Sequence, residues 1–544
     1  MGLGVLEDKH MSHVPGTTRY FDDPERPQFA PQDGRAGLKC DTSGPVPIIL
    51  VPQPSDDPND PLNWPLWKRD LITFILSITA IFATSLGPIL AANTITLSLW
   101  MSRDITAVAL LTGYFLLGVG VAGFFFVPSS RIWGKRHLFI LGICILIASS
   151  AWGGAVGKNY KSFLWSRIIQ GVGCAPFEAL VNAAVGDLYF VHERGKRMAF
   201  TNLAVFGGAF FTPIVVGKIT HTIMWWWTFN LVAIFCAVCL PLVIFFCPET
   251  AYRRDASLNT DMLGDDNEVA PPSYADAVPQ MTEQHNGAVP ESSTAAAGPS
   301  TEGSSDGTRD ASNDAEKAIE TPAANGSANR TIPEKTTWRQ SLALFNGRKS
   351  DEAFWKLLLR PLPLFLQPAF LWAALVQGTL IGWTVFIGVL LGMFFLGYPL
   401  WWNEVNTGYA YTGAFIGALG GFVIAGGLAD WSAKVMTRWN GGIYEPEFRI
   451  VLVVPQLVFG CMGVYGFGIT ADGLLRDKFH WSVPIMFFGF EVCGMVIGAV
   501  ASSLYIVDAY RDLAIEGFTC LIIFKNFFSF GLTFKAYDWS SSVC

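Results

Sequence analysis

Charged residues are scarce in this chain. Only 15% of its 544 residues are Asp, Glu, Lys or Arg, whereas 51% are hydrophobic. Soluble domains carry about 25% charged residues. Several apolar runs exceed the roughly 18 residues that a helix needs to cross a bilayer. The sequence therefore predicts an all-α polytopic membrane protein.

Other signals are also missing, and each absence excludes a function. No phosphate-cradling P-loop appears, so ATP is not expected as the energy source. The seven histidines are scattered, and most cysteines lie inside apolar runs, which gives no metal-ligand cluster. The basic residues are divided among loops, which excludes a nucleic-acid surface. We therefore expect no catalysis, no metal, no cofactor and no nucleic-acid partner.

No secretory signal peptide begins the chain, so we expect the first span to act as the signal. Eleven spans are predicted, at about 70–92, 106–127, 138–157, 163–186, 200–219, 227–247, 370–396, 408–429, 450–470, 482–507 and 517–535. Five regions follow: a disordered cytoplasmic tail (1–66), a six-helix bundle (67–249), a mostly disordered cytoplasmic loop (250–362), a five-span bundle (363–536) and a short tail (537–544).

The orientation follows from the short loops. Basic residues follow every even-numbered span, whereas tryptophans gather at the opposite exits. Basic loops stay in the cytoplasm, and tryptophans favour the membrane interface. The N-terminus is therefore predicted to be cytoplasmic.

The fourth span carries two charges at membrane depth, Arg167 and Glu178. They lie eleven residues apart, within about 20° of one helix face and about 16 Å along the axis. Such charges are costly in a bilayer and mark solute or proton paths. We interpret this face as one wall of a path, with Glu178 as a proton or solute site. The alternative is that Arg167 braces the cytoplasmic end of the helix and Glu178 caps a neighbour.

The last two spans carry Glu491, Lys525 and Asn526 inside apolar sequence. A lysine at that depth must find a carboxylate or a carbonyl. A role in transport and structural pairing with another helix both remain open for Lys525. Asp508 and Arg511, at the cytoplasmic end, are expected to form a solvated pair.

The central loop contains a PPxY pattern, Pro271-Pro272-Ser273-Tyr274. Such a segment binds the aromatic groove of a WW domain as a polyproline helix. We predict a WW-domain ubiquitin ligase as a partner; a chance match in a Pro-rich loop is the alternative.

Several motifs resemble those of the major facilitator superfamily. Arg167-Ile-Ile-Gln170-Gly171-Val-Gly173 resembles that family's fourth-helix motif, and Ser130–Arg136 resembles its loop between helices two and three. Gly426–Asp430 resembles the second-repeat copy of that loop. Further strings resemble the fungal drug:proton antiporter branch: DPLNWP (60–65), DLYFVHERGKR (187–197), CPETAYRR (247–254) and NGGIYEPEFR (440–449). The resemblance implies two repeated bundles that rock about a midplane site.

The chain departs from the family pattern in three places. Arg131 stands where the family's loop has aspartate. The antiporter motif of helix five keeps Gly208, Pro213 and Gly217 but has phenylalanines between them. Eleven spans are found where the family has twelve, with the last apparently missing.

Residues of the short loops are interpreted as gates that pair across the two halves in one state only. Topology determination is the alternative for the basic ones. The candidate gate residues are Arg131, Gly134, Lys135, Arg136, Asp187, Arg194 and Asp430.

The intramembrane charges and the family resemblance together predict a proton-coupled secondary transporter. The resemblance implies export of small apolar or amphiphilic compounds (drugs, toxins or secondary metabolites), with the proton gradient as energy source. We expect a monomer in the plasma membrane. The alternatives are a nutrient symporter or facilitator and, from another class, a non-transporting sensor or inactive truncated transporter.

Overall fold

Long helices form nearly all of this structure, because backbone polar groups inside a bilayer must bond within their own segment. The computed structural model describes residues 17–19, 39–41, 48–254, 334–350, 352–397 and 400–543. The helices of the N-terminal half are α1 Leu66–Ser85, α2 Thr94–Met101, α3 Ile105–Trp133, α4 Arg136–Ala155, α5 Tyr160–Leu188, α6 Val191–Asn202, α7 Gly208–Thr222 and α8 Trp226–Phe246. A π-helical turn, Leu203–Gly207, joins α6 to α7.

The C-terminal half follows three short helices, α9 Trp338–Ser341, α10 Phe354–Leu359 and α11 Pro361–Leu364. Its other helices are α12 Pro368–Leu396, α13 Glu404–Ala410, α14 Thr412–Trp439, α15 Val453–Leu475, α16 Ser482–Ala509 and α17 Ala514–Val543. Two-residue strands complete the structure: β1 Thr18–Arg19, β2 Cys40–Asp41, β3 Ile48–Ile49 and β4 Ile443–Tyr444.

Helical segments lie over most of each of the eleven predicted spans. Ten helical segments in the described part of the chain are long and apolar enough to cross a membrane. The remaining helix, α1, begins with three charged residues at 68–70. It also ends earlier than predicted, at Ser85 rather than near 92, because Pro88 opens a separate 3₁₀ turn.

The helix contacts of the first half recur in the second. In the first half, α5 packs against α3, α4 and α1; in the second, α16 packs against α14, α15 and α12. The halves meet where α3 lies along α17 and where α7 lies along α13. This repetition agrees with two related bundles, although the exact domain limits stay a prediction.

Glycine allows one of these crossings. Gly417 lies so close to the backbone of Gly489 that a Cβ at position 417 would overlap its carbonyl. Small residues let two helices approach closely in a membrane. The spacing of Gly413, Gly417 and Gly421 thus sets the contact between α14 and α16.

The N-terminal segment is more ordered than the predicted tail at the positions that the structure describes. Strand β2 pairs with β3, and β1 pairs with β4 of the second half. Ile49 and Val51 are buried in an apolar cluster with Val191 of α6 and with Tyr444 and Phe448 of the second half. We call this segment, residues 48–51 with β1 and β2, the N-terminal strap.

The DPLNWP and CPETAYRR strings meet beside α1. Arg254 pairs with Asp60 at 2.8 Å. Burial alone would raise the pKa of Asp60, but Arg254 and the N–H groups of Leu62 and Ser55 hold that pKa below its usual value. The pair ties the end of α8 to the start of α1.

Candidate functional site: a cavity between the two halves

A cavity lies between the halves and is lined by residues from both. The cavity volume is about 130 Å³. Most lining side chains are apolar, and the polar ones include Thr84, Glu178, Thr384, Tyr411, Lys525 and Asn526. Phe206 and Phe210, from the π-helical turn and α7, add aromatic wall. The cavity therefore suits a small, largely apolar solute with a polar group.

Glu178 and Lys525 form an ion pair in this wall. Lys525 Nζ lies 2.7 Å from Glu178 Oε2, which joins α5 of the first half to α17 of the second. Asn526 Nδ2 donates to the same oxygen at 3.5 Å, and the Lys525 ammonium lies 5.8 Å from the Phe206 ring centre. Three predicted site residues thus meet, and the lysine has the carboxylate that its depth demands.

Arg167 and Gln170 lie behind the wall rather than in it. Arg167 is fully buried; it donates to Gln170 Oε1 at 2.8 Å and to the main-chain oxygens of Leu111 and Gly87. Gln170 Nε2 donates to Ser149 O at 3.2 Å. The expected shared wall of Arg167 and Glu178 is wrong in this conformation, because α1 and α3 cover the arginine. The alternative, that Arg167 braces the cytoplasmic end of the helix, is also wrong in position, because Arg167 lies near the start of α5 and Asp187 lies at the basic-loop end.

Glu491 also lies outside the cavity lining. It is fully buried in α16, and its Oε1 lies 2.5 Å from the Thr384 hydroxyl of α12. Its Oε2 has no hydrogen-bond partner among the described residues. Thr384 lines the cavity, so one hydroxyl separates Glu491 from it.

Charged residues close the basic-loop end of the molecule. Asp508 of α16 lies 2.6 Å from Arg194 of α6 and 3.0 Å from Arg449, and all three side chains are buried. Tyr444 donates its hydroxyl to Asp508 at 2.7 Å. Burial raises the pKa of Tyr444, and so does Asp508, although Arg449 opposes them, which keeps the hydroxyl protonated. The predicted solvated Asp508–Arg511 pair is wrong, since Asp508 instead binds cations of both halves.

A second ion pair crosses the halves nearby. Arg131 Nε of α3 lies 3.3 Å from Glu516 Oε1 of α17. The arginine that replaces the family's aspartate therefore has an acidic partner in the opposite half. Lys135 differs, because it pairs with Asp187 and donates to Ala183 O within its own half. Ion pairs between the halves are thus seen for Arg131 and Arg194 but not for Lys135 or Asp187, and a gating role stays a prediction.

The loop after α3 is fixed by Glu249. Its carboxylate accepts from the backbone N–H groups of Lys135 at 2.9 Å and Arg136 at 3.0 Å. These N–H groups begin α4, where a negative charge is favourable. Gly134 has φ +93°, and a Cβ there would overlap Glu249. Arg136 donates to the main-chain oxygens of Ile244 and Ser341, so Gly134 and Arg136 serve the loop's structure.

Asp430 approaches the other half without a charged partner at bonding distance in the described contacts. Its carboxylate lies against Gly195 in the first turns of α6, so closely that a Cβ would not fit. Asp430 therefore lies between the two halves, but it faces the backbone of Gly195 rather than a side chain.

The helix-five motif packs the halves together at the opposite end. A Cβ on Gly217 would overlap Glu404 O, and one on Gly408 would overlap Pro213 O. Gly208 lies against Ile81 of α1. The motif's glycines and Pro213 thus give α7 close contact with α1 and α13.

Sequence reasoning missed several of these residues. Arg449 and Tyr444 were visible only inside the NGGIYEPEFR string, and nothing in the spacing joined them to Asp508. Thr96 and Glu404 bond at 2.5 Å across the halves; both lie in interfacial sequence that resembles ordinary surface. The WW-ligand candidates Pro271, Pro272 and Tyr274 lie outside the residues that the structure describes. Among the described residues, no group of His, Cys, Asp and Glu could hold a metal ion.

Membrane-length helices in two similar halves, with a cavity between them, define the class of integral membrane transporters for small solutes. Within that class the family is clear. The model of the Major Facilitator Superfamily matches residues 72–513, so the chain belongs to that superfamily.

Similar proteins agree with this assignment. Protein HOL1 of Saccharomyces cerevisiae is 25% identical, over 97% of this chain and 90% of its own. The MFS antiporter QDR3 of Candida albicans is 27% identical over 42% of this chain and 33% of its own. The structure of the proton:xylose symporter XylE covers 88% of this chain and 91% of its own with a TM-score of 0.51 at 12% identity, which supports the fold alone.

Proposed function

We propose that this chain is a proton-coupled exporter of small apolar or amphiphilic organic compounds, of the drug:proton antiporter branch. The observation that carries the proposal is the cavity between the halves, whose mostly apolar wall contains the Glu178–Lys525 pair. A solute that separates these charges, or protonation of Glu178, would loosen one link between the halves. Alternating access is rocking of two such halves about a central site.

Two relatives, each similar to only part of this chain, support the proposal that it exports its solute. They are named an MFS antiporter (QDR3) and a multidrug transporter (TPO1_2 of Candida glabrata), the latter 30% identical over 36% of this chain and 34% of its own. The basic loops favour a cytoplasmic N-terminus, and we place the protein in the plasma membrane as a monomer.

The test is efflux of rhodamine 6G and a panel of antifungal compounds from cells that express the full chain. We expect efflux that a protonophore abolishes, and loss of that efflux in Glu178→Gln at equal surface amount. Efflux that survives the protonophore would indicate a facilitator. Surface delivery without any efflux would contradict the proposal and favour a sensor or an inactive chain.

The PPxY segment is proposed to recruit a WW-domain ubiquitin ligase. Tyr274→Ala should lengthen the protein's lifetime at the cell surface, whereas unchanged turnover would exclude the ligase.

A further inference from the structure

Two carboxyl groups lie in the spans near the cavity, Glu178 in its lining and Glu491 fully buried behind it, and their partners differ. Glu178 has the Lys525 ammonium at 2.7 Å. Glu491 is fully buried, and one of its oxygens has no partner in the described structure. An isolated carboxylate removed from water is too costly to keep ionised, and such a group instead takes up a proton.

In the described part of the chain, no cation faces Glu491 from the helices packed around it. Helix α12 contains no charged residue. On α15, Gly463 lies against Glu491, and Asp472 is about 13 Å farther along that helix, paired with Arg476. On α14, Gly417 lies against Gly489, and Asp430 is about 20 Å farther along.

The remaining neighbours of α16 are also distant. Helices α5 and α6, and the 3₁₀ turn Pro446–Leu452 that carries Arg449, meet α16 near Val507 and Asp508, about 24 Å along the axis from Glu491. On α17, the Cα of Lys525 lies against Gly378 of α12, about 9 Å along α12 from Thr384. The Lys525 ammonium is directed to Glu178. No described cation therefore compensates a charge on Glu491.

The hydrogen bonds at Thr384 point to the same protonation state. Its hydroxyl oxygen lies 2.8 Å from Leu380 O and 2.5 Å from Glu491 Oε1. A hydroxyl has one proton to donate, and a backbone carbonyl is only an acceptor. If that proton goes to Leu380 O, the proton in the shorter contact comes from the Glu491 carboxyl group.

We propose that Glu491 carries the coupling proton, held as a neutral acid that donates to Thr384 in this conformation. The inference rests on the proposed proton-coupled function and assigns the proton to the second half. Thr384 lines the cavity, so water that enters an open cavity reaches Glu491 through this hydroxyl. The Glu491 O–H bond then breaks, the proton passes to water, and the carboxylate remains until the opposite side returns a proton.

The experiment is infrared spectroscopy of the full chain in lipid nanodiscs at neutral pH. A protonated carboxyl group absorbs in a region clear of ionised carboxylates. We expect one such band, lost in Glu491→Gln and kept in Glu178→Gln and Asp472→Asn. Thr384→Val should keep the band but shift it, because the acid loses its acceptor. Glutamine preserves the size of the acid and can donate to Thr384, so the fold should survive.

Absence of the band in the unaltered protein, or its persistence in Glu491→Gln, would overturn the inference. Proton-driven efflux of rhodamine 6G separates this failure from that of the proposed function. If efflux is lost in Glu178→Gln and no acid band is present, the antiporter proposal stands and Glu178 is the proton carrier instead. A Glu491 band together with protonophore-insensitive efflux would show a buried acid in a protein that is not proton-driven.

Discussion

Single charged residues inside this protein are held by partners on other helices. Arg167 binds main-chain oxygens, Lys525 binds Glu178, and Asp508 lies between two arginines. Removing one member of a buried pair leaves the other charge uncompensated, which costs more than the pair contributes. Loss of one partner therefore leaves a single charge uncompensated at Glu178–Lys525, but two guanidinium groups uncompensated at Asp508.

The Glu178–Lys525 pair should show strong coupling. Glu178→Gln or Lys525→Met alone should lower the free energy of unfolding by about 3–5 kcal/mol, because one charge stays buried without a partner. The double variant should lose less than the two singles together. Thermal unfolding in detergent measures all four proteins; additive losses would show that the charges do not depend on each other.

Gly134 offers a test of backbone strain together with crowding. Gly134→Ala forces a side chain into a left-handed region (φ +93°) and against Glu249. A loss of about 1–3 kcal/mol is expected from the strain alone. Gly157→Ala is the control, since Gly157 has φ +63° but nothing within 4 Å of an added Cβ. Equal losses at both positions would show that Glu249 does not matter.

At the scale of helices, the glycine face of α14 decides how closely two elements pack. Gly417→Leu should push α14 from α16 and lower the free energy of unfolding by about 1–3 kcal/mol or more, as overpacking does. Gly427→Leu, on the same helix, meets nothing within 4 Å and should be nearly neutral. Comparable unfolding temperatures for the two variants would contradict this packing.

Helices were also the scale at which the sequence was most informative. Apolar runs and glycine spacing are local, so the spans and the face of α14 could be predicted. The depth of Lys525 predicted that it needs a carboxylate or a carbonyl, but not which group supplies it. The Asp508–Arg511 prediction failed because the nearest charge in sequence was assumed to be the nearest in space. Partners that come from the other half, such as Arg194 and Glu516, depend on a tertiary arrangement that spacing does not encode.

Across the whole molecule, the two halves are held together by different chemistry at the two ends. Ion pairs hold the basic-loop end, through Asp508 and Glu516. Backbone contacts of Gly217 and Gly408 hold the other end, with the Thr96–Glu404 bond beside them. Charged contacts respond to changes of protonation, whereas glycine contacts respond only to movement of the helices.

Asp508→Asn should weaken the basic-loop end selectively. Two buried guanidinium groups would lose their shared carboxylate, at a cost of about 3–5 kcal/mol. Amide hydrogen exchange should become faster in α6 and at the end of α16, while α7 and α13 stay protected. Asp472→Asn, which removes an exposed pair with Arg476, should change stability by about 0–1 kcal/mol. Uniformly faster exchange in Asp508→Asn would indicate global loosening instead.

The N-terminal strap has a consequence for the order in which the protein is made. Strand β1 leaves the ribosome before its partner β4, which follows about 425 residues later. At about 5–20 residues per second, the strap waits roughly 20–85 s for that partner. During this interval Ile49 and Val51 have no Tyr444 or Phe448 to cover them. A segment that is translated before both bundles is therefore among the last to dock, and it can dock only when both halves are in place.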